Sequence, residues 1–273
     1  MKLKEAIDKA SRSLKEITDI PRKEAMILAS FVLKKDISYI LLNEEKEFEV
    51  SSDFFALIDR RAKGEPLEYI TKSVSFYSRE FFIDRGALIP RPETELLIDE
   101  VLKNHNYIGK KYLNIAEIGV GSGVISIMLA LKLKDARIIA TDISKDALKI
   151  AKKNIDKFNL QDRVELLLGA YLDGVEREID IIVSNPPYVA DDFKIDKPLK
   201  YEPKEAIFGG KRGDEVLAEI ILLFKKSRAK LLCCEMGYNQ KESIIEILKD
   251  YNFDNFYFYK DLAGLDRGFI VKN

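Results

Sequence analysis

Hydrophobic residues recur at helical spacing through roughly the first seventy positions. Leu3, Ile7, Ala10 and Leu14 share one face, and Ala25, Leu28, Ala29 and Val32 share another. Pro21 suits the first turn of the second stretch, where its missing N–H is no loss. A further helix is predicted from Asp53 to Arg61, carrying Phe54, Phe55, Leu57 and Ile58 and ending near Gly64-Glu65-Pro66. Residues 1–74 therefore read as a small all-helical domain. From Ser75 the pattern becomes an aromatic-rich alternation through Phe76, Tyr77, Phe81, Phe82 and Ile83, so residues 75–89 read as a β-hairpin linker.

Residues 90–273 alternate strand-like and helix-like runs, with strands predicted near 112–118, 137–142, 163–168, 179–184 and 229–235. That rhythm predicts a parallel sheet with helices on both faces. Two last strands, near 254–259 and 267–271, are joined by a loop too short for a crossover, so they form an antiparallel hairpin. The expected fold class is α/β: a mostly parallel sheet of seven strands behind a helical N-terminal domain. No internal repeat or low-complexity tract interrupts it.

Composition narrows the function classes. With 273 residues, of which 47% are hydrophobic, the chain has enough apolar surface for two packed domains. Lys and Arg number 45 against 46 Asp and Glu, so no global positive field draws it to a phosphate backbone, and direct nucleic-acid binding is not expected. Cys233 and Cys234 are adjacent within an apolar run, which suits buried hydrophobes in a reducing compartment better than a disulfide. The N-terminal residues lack an apolar signal core, and no run approaches the roughly 20 residues that span a bilayer. The expectation is a cytoplasmic monomer with no membrane partner. The single histidine, His105, falls in a polar connection and is expected to be solvated there, and no cluster has metal-ligand spacing.

The chemistry sits at predicted strand ends. The first strand runs into Glu117-Ile118-Gly119-Val120-Gly121-Ser122-Gly123 and then a helix, an arrangement in which glycines let a ligand approach backbone amides. A dinucleotide fingerprint needs its third glycine one place later, where Val124 stands. The G-x-G-x-G spacing instead resembles the first motif of class I S-adenosylmethionine methyltransferases. Asp142 ends the second strand, where a carboxylate can accept from both ribose hydroxyls; capping of the next helix is the plainer alternative. Tyr171, after the third strand, could stack on adenine or simply pack.

The fourth strand ends in Asn185-Pro186-Pro187-Tyr188, which resembles the motif of methyltransferases acting on planar nitrogens. An amide nitrogen is a poor nucleophile because its lone pair is delocalised. In that family the Asn185 side-chain oxygen and the Pro186 carbonyl would accept the two N–H bonds, aiming the lone pair at the methyl. Proline fixes its own φ and donates nothing, so Pro186 and Pro187 hold that geometry stiffly, and Tyr188 would pack against the flat substrate group.

With these residues assembled, the chain closely resembles the protein N5-glutamine methyltransferases of peptide-chain release factors, the HemK or PrmC family. Arg60-Arg61-Ala62-Lys63-Gly64-Glu65-Pro66, Leu88-Ile89-Pro90-Arg91-Pro92-Glu93-Thr94-Glu95-Leu96, Glu202-Pro203, Phe208-Gly209-Gly210 and Asp261-Leu262-Ala263-Gly264-Leu265-Asp266-Arg267 look like further family segments. The resemblance implies a Rossmann-like class I methyltransferase sheet and S-adenosylmethionine as cofactor. Glu117, Gly119, Val120, Gly121, Ser122, Gly123, Asp142, Tyr171 and Asn185 would be cofactor contacts. Asn185, Pro186, Pro187 and Tyr188 would form the substrate site, with Asn185, Pro186 and Tyr188 catalytic. The implied partner is a class I release factor, gripped in part by the helical domain and methylated on the glutamine of its Gly-Gly-Gln loop. The chain departs from the family at Glu117, where aspartate is common, at Tyr171, where tryptophan is frequent, and at Lys211-Arg212-Gly213-Asp214, where an acidic Asp-Gly order is usual. Arg91, Glu93 and Glu95 suit ligand contact or helix capping equally. An amino-methyltransferase acting on adenine or guanine in DNA or RNA is the main alternative, since the same acceptors suit an exocyclic amine. A fold that binds a release factor without chemistry would be expected to lack these motifs.

Overall fold

A computed structural model describes residues 1–47 and 52–273. It divides into two compact units, residues 1–73 with 195–201 and residues 74–194 with 202–273. The first contains α1 (Leu3–Leu14), α2 (Pro21–Leu33), α3 (Ile37–Leu42), α4 (Ser52–Ala62) and α5 (Leu67–Thr71). Pro21 occupies the first turn of α2, and Asp36 caps α3 by accepting from the Tyr39 amide at 2.6 Å. The predicted faces of α1 and α2 meet in one core with Phe54 and Ile58 of α4, while Val32 stays partly exposed. Beside that core, Arg61 grips Glu24 in a buried two-point ion pair, Nε to Oε2 at 2.6 Å and Nη2 to Oε1 at 3.1 Å. Such a pair tolerates burial only because each charge has its partner.

At the start of the second unit, β1 (Ser73–Phe76, its first residue the last of the helical unit) and β2 (Arg79–Phe82) form a two-stranded sheet. Its turn, Tyr77-Ser78, has φ of 52° and 57°, the positive pair a tight hairpin needs. Glu95 accepts the Tyr77 amide at 2.7 Å, so this acid of the Arg91–Glu95 segment anchors the hairpin. Arg91 pairs with Glu202, whose other oxygen accepts the Ile89 amide at 2.9 Å.

The main sheet alternates with helices from α6 (Thr94–Asn104) onward: β3 (Leu113–Ile118), α7 (Val124–Lys132), β4 (Ala136–Asp142), α8 (Lys145–Lys157), β5 (Val164–Leu168) and β6 (Ile181–Ser184). Then follow β7 (Val189–Ala190), β8 (Phe208–Gly210), α9 (Glu215–Lys226), β9 (Leu231–Glu235), α10 (Lys241–Asp250), β10 (Phe256–Lys260) and β11 (Asp266–Lys272). Seven strands order as β10-β11-β9-β6-β3-β4-β5, and β11 runs antiparallel to both its neighbours. The expected mixed sheet and terminal hairpin are both present. The last strand lies between β9 and β10, and β7 pairs with β8 in a small separate sheet. Ile220, Phe224 and Leu248 of α9 and α10 join Ile182, Leu232 and Phe269 in a helix-on-sheet core. Both cysteines are buried and unbridged. His105 is half-buried rather than solvated, in a short 3-10 turn, with Nδ1 2.6 Å from the Leu102 carbonyl. Among the described residues, no helix is long and apolar enough to cross a membrane, and no group of acids, cysteines and histidine could hold a metal.

β3 is followed in sequence by β4 on one side and later flanked by β6 on the other. This reversal makes a crevice at the carboxyl ends of the strands, where open α/β sheets bind ligands.

Candidate active site

At that crevice the chain leaves β3 through Gly119, Gly121 and Gly123, with φ of 76°, 52° and 84°. A Cβ on Gly119 or Gly121 would meet nothing within 4 Å, so these two glycines are required by backbone angle and face open space. A Cβ on Gly123 would lie 3.3 Å from Ala151, so this one permits close approach of α8. The loop is held from β4: the Gly119 and Val120 amides donate to the Thr141 carbonyl, both at 2.9 Å, and the Gly121 amide to Asp142 Oδ2, also at 2.9 Å. Asn154 ties it from the other side, donating to the Ser122 carbonyl at 2.8 Å while bonding the Phe82 amide and carbonyl.

Asp142 does not cap α8. Ser144 does, accepting from the Ala147 amide, and Asp142 Oδ1 accepts the Ser144 amide at 2.8 Å. Each carboxylate oxygen thus keeps acceptor capacity beyond one backbone bond. Burial raises the Asp142 pKa, and the amides of Gly121 and Ser144 oppose that rise.

A cavity of about 410 Å³ opens here, and Gly119, Gly121, Asp142, Tyr171, Asn185 and Pro187 all line it. The other residues singled out by sequence lie behind its wall. Val120 and Ser122 are buried, the former against Ala140 and Ala151. The Glu117 side chain is fully buried, with Oε2 accepting from both the amide and hydroxyl of Ser126 and Oε1 unpartnered. Burial pushes its carboxyl up to about 8.

In the Asn-Pro-Pro-Tyr loop, Asn185 Nδ2 donates to Thr94 Oγ1 at 3.0 Å. Among the described residues, Asn185 Oδ1 and the Pro186 carbonyl accept no hydrogen bond. The rest of the loop is held firmly. A Cβ on Gly209 would come within 2.4 Å of the Pro187 oxygen, and the Tyr188 carbonyl accepts from Gln240 Nε2 at 3.0 Å. The Tyr188 hydroxyl reaches inward to Glu235 Oε1 at 3.0 Å, and burial raises its pKa first of all causes.

Sequence reasoning did not single out Glu235. Its signal was present: an acid closing the apolar run Leu231-Leu232-Cys233-Cys234, as Asp142 closes β4. Of the cavity walls, Leu88 and Phe208 were flagged only within segments of the resemblance, and Gly86 not at all.

The chain is similar to known proteins along nearly its whole length. Residues 5–71 match the family described as PrmC N-terminal domain, and residues 92–199 the Methyltransferase small domain. The release factor glutamine methyltransferase of Clostridium acetobutylicum is 36% identical, covering 98% of this chain and 97% of that protein. The bifunctional methyltransferase of Rickettsia conorii is also 36% identical over 97% of this chain, which spans only 56% of that longer protein. Among solved structures, the hMettl16 catalytic domain in complex with the MAT2A 3'UTR hairpin 1 superposes with a TM-score of 0.58, covering 90% of each chain at 16% identity, a likeness of fold. With more than a third of positions identical along nearly the whole of both sequences, the chain belongs to the release factor glutamine methyltransferase family.

Proposed function

We propose that this protein transfers a methyl group from S-adenosylmethionine to the side-chain amide nitrogen, N5, of the glutamine in the Gly-Gly-Gln loop of class I peptide-chain release factors. The observation that carries the reading is the pair of oxygens just after β6, Asn185 Oδ1 and the Pro186 carbonyl, left without protein donors in a loop whose Asn185 and Pro187 line the cavity. An NH2 group offers two hydrogens to two such acceptors.

The residues present fit the cofactor. The cavity falls within the roughly 300–1,000 Å³ of small-molecule sites, two of its glycines face open space, and Asp142 offers both carboxylate oxygens to a ribose. Tyr171 would lie against the adenine, and Gly119, Val120, Gly121, Ser122 and Gly123 would supply the backbone cradle, with Glu117 behind it. When bound, the cofactor supplies an electrophilic methyl carbon on a positively charged sulfur. Asn185 and Pro186 hold the amide nitrogen with its lone pair in line with that carbon, and Tyr188 and Pro187 restrict the plane of the amide. Transfer would form the nitrogen–methyl bond as the carbon–sulfur bond of the bound cofactor breaks, its electron pair staying on sulfur. One nitrogen proton then leaves to solvent, giving a secondary amide and S-adenosylhomocysteine. No strong base is needed, because the methylated nitrogen is acidic. Acceleration comes from alignment and preplaced acceptors.

In this reading residues 1–74 help grip the release factor, residues 75–89 link, and residues 90–273 carry the reaction, in a cytoplasmic monomer that does not bind nucleic acid directly. Methyl-labelled S-adenosylmethionine should label a release factor, and Asn185→Ala should reduce transfer by about 10²-fold or more while binding of S-adenosylhomocysteine persists. Label on DNA or RNA, with none on the release factor, would refute the substrate assignment.

A further inference from the structure

Behind the Asn-Pro-Pro-Tyr loop lies a polar chain drawn from separate elements. Glu235, the last residue of β9, is buried, with Oε2 2.7 Å from Thr94 Oγ1 at the start of α6 and Oε1 3.0 Å from the Tyr188 hydroxyl. Thr94 Oγ1 in turn lies 3.0 Å from Asn185 Nδ2. We propose, resting on the methyl-transfer reading above, that Thr94 and Glu235 are positioning residues that fix which end of the Asn185 carboxamide faces the substrate.

The argument is one of hydrogen-bond polarity. A carboxylate only accepts, so the single hydroxyl hydrogens of Thr94 and Tyr188 both point to Glu235. The Thr94 oxygen then has only lone pairs left, and its next neighbour must donate. Asn185 can do so only through Nδ2, which turns Oδ1 away from Thr94. Carboxamide oxygen and nitrogen have nearly the same shape, so the network alone decides between them. With the carboxamide reversed, an NH2 group would confront the substrate NH2, and one of the two acceptors would be gone.

The same logic couples the site to pH. Besides Thr94 and Tyr188, the groups acting on Glu235 are Glu93 beside Thr94 and Arg267 on β11, and Tyr259 on β10 feels its charge in turn. Burial pushes the Glu235 carboxyl up to about 7. Once protonated, it can donate to Thr94, which frees the threonine hydrogen to turn towards Asn185 and satisfies either orientation. Turnover should therefore decline as pH falls through that value and recover above it.

The test uses the full chain, labelled methyl transfer to a release factor at saturating cofactor and substrate, and a pH series from about 5.5 to 9. Glu235→Gln and Thr94→Val should each lower kcat by about 100-fold, with S-adenosylhomocysteine binding within about twofold of wild type as the check on folding. Thr94→Ser, which keeps the hydroxyl, should stay within about threefold, and the double variant should lose little more than either single one. The acidic limb of kcat should vanish in Glu235→Gln. If Glu235→Gln does not fold, Thr94→Val and Thr94→Ser carry the comparison. Turnover within about threefold of wild type in Thr94→Val or in folded Glu235→Gln, or equal damage from serine and valine at position 94, would overturn the relay. Failure of the underlying reading is distinct: Asn185→Ala would then transfer normally, or wild-type protein would leave the release factor unlabelled.

Discussion

Glu117 offers a sharp test of how burial acts on this fold. Its side chain is fully enclosed, Oε2 accepts twice from Ser126, and Oε1 has no partner. Desolvation outweighs the two hydrogen bonds and raises the carboxyl from 4.5 to about 8. In the unfolded chain the group ionises from its ordinary value upward, while in the folded protein it stays protonated until about pH 8. Its contribution to stability is thus fully present below pH 4.5 and is lost as pH rises through about 8. At about 1.4 kcal/mol per unit, the loss is on the order of 5 kcal/mol across that window. Glu117→Gln removes the titration and keeps an oxygen for Ser126. Urea unfolding from pH 4 to about 8.5 should show the variant close to wild type at the acidic end and increasingly more stable towards the alkaline end. A difference that stays flat with pH would refute the reasoning. A difference of opposite slope would mean the carboxylate is held charged by a partner.

Asp142→Asn replaces one of two oxygens that each accept a backbone amide. Loss of one hydrogen bond to a charged group, about 1.5–3 kcal/mol, should weaken S-adenosylhomocysteine binding by roughly 10- to 150-fold in calorimetry, with α8 still capped by Ser144. Arg61→Ala leaves the buried Glu24 carboxylate without its partner and should lower unfolding free energy by about 3–5 kcal/mol in urea titrations. Gly209→Ala drives a methyl to within 2.4 Å of the Pro187 oxygen and 2.7 Å of the Gly213 oxygen. Because both obstacles are backbone, the Asn-Pro-Pro-Tyr loop must move, and methyl transfer should fall about 10²-fold in protein that remains folded by circular dichroism.

Much of this architecture could be read from periodicity, and the failures have physical causes. Each strand of the main sheet was legible because its apolar run is bounded by turns and separated by helix-length segments. The helices α3 and α5, of six and five residues, are too short to display a period. β7 and β8, of two and three residues, pair across a long sequence gap that no local pattern encodes. The position of β11 between β9 and β10 depends on non-local fit: Gly268 stands opposite Glu235, and a Cβ there would come within 2.2 Å of the Tyr259 hydroxyl. At the site, Gly119, Asp142 and Asn185 were legible because they end or follow strands. Thr94 and Glu235 were not, because 141 residues separate them and only folding gives their hydroxyl and carboxyl a common partner set. Arg91 and Glu95, whose roles sequence left open, engage Glu202 and the hairpin turn.

The order of strands also constrains how the proposed reaction must run. Glu235, Asn185, Glu117 with the glycine loop, and Asp142 stand at the carboxyl ends of β9, β6, β3 and β4, which are consecutive neighbours in the sheet. Adjacent strands lie about 4.8 Å apart, so the tips of β4 and β6 are separated by roughly 10 Å. A nucleoside held by its ribose at Asp142 must cross the glycine loop to bring its sulfonium to Asn185. The methyl acceptor then cannot arrive over β3 or β4, which the cofactor covers. Asn185, just after β6, is then where the two would meet, with Tyr188 and Glu235 holding the acceptor loop from the neighbouring β9.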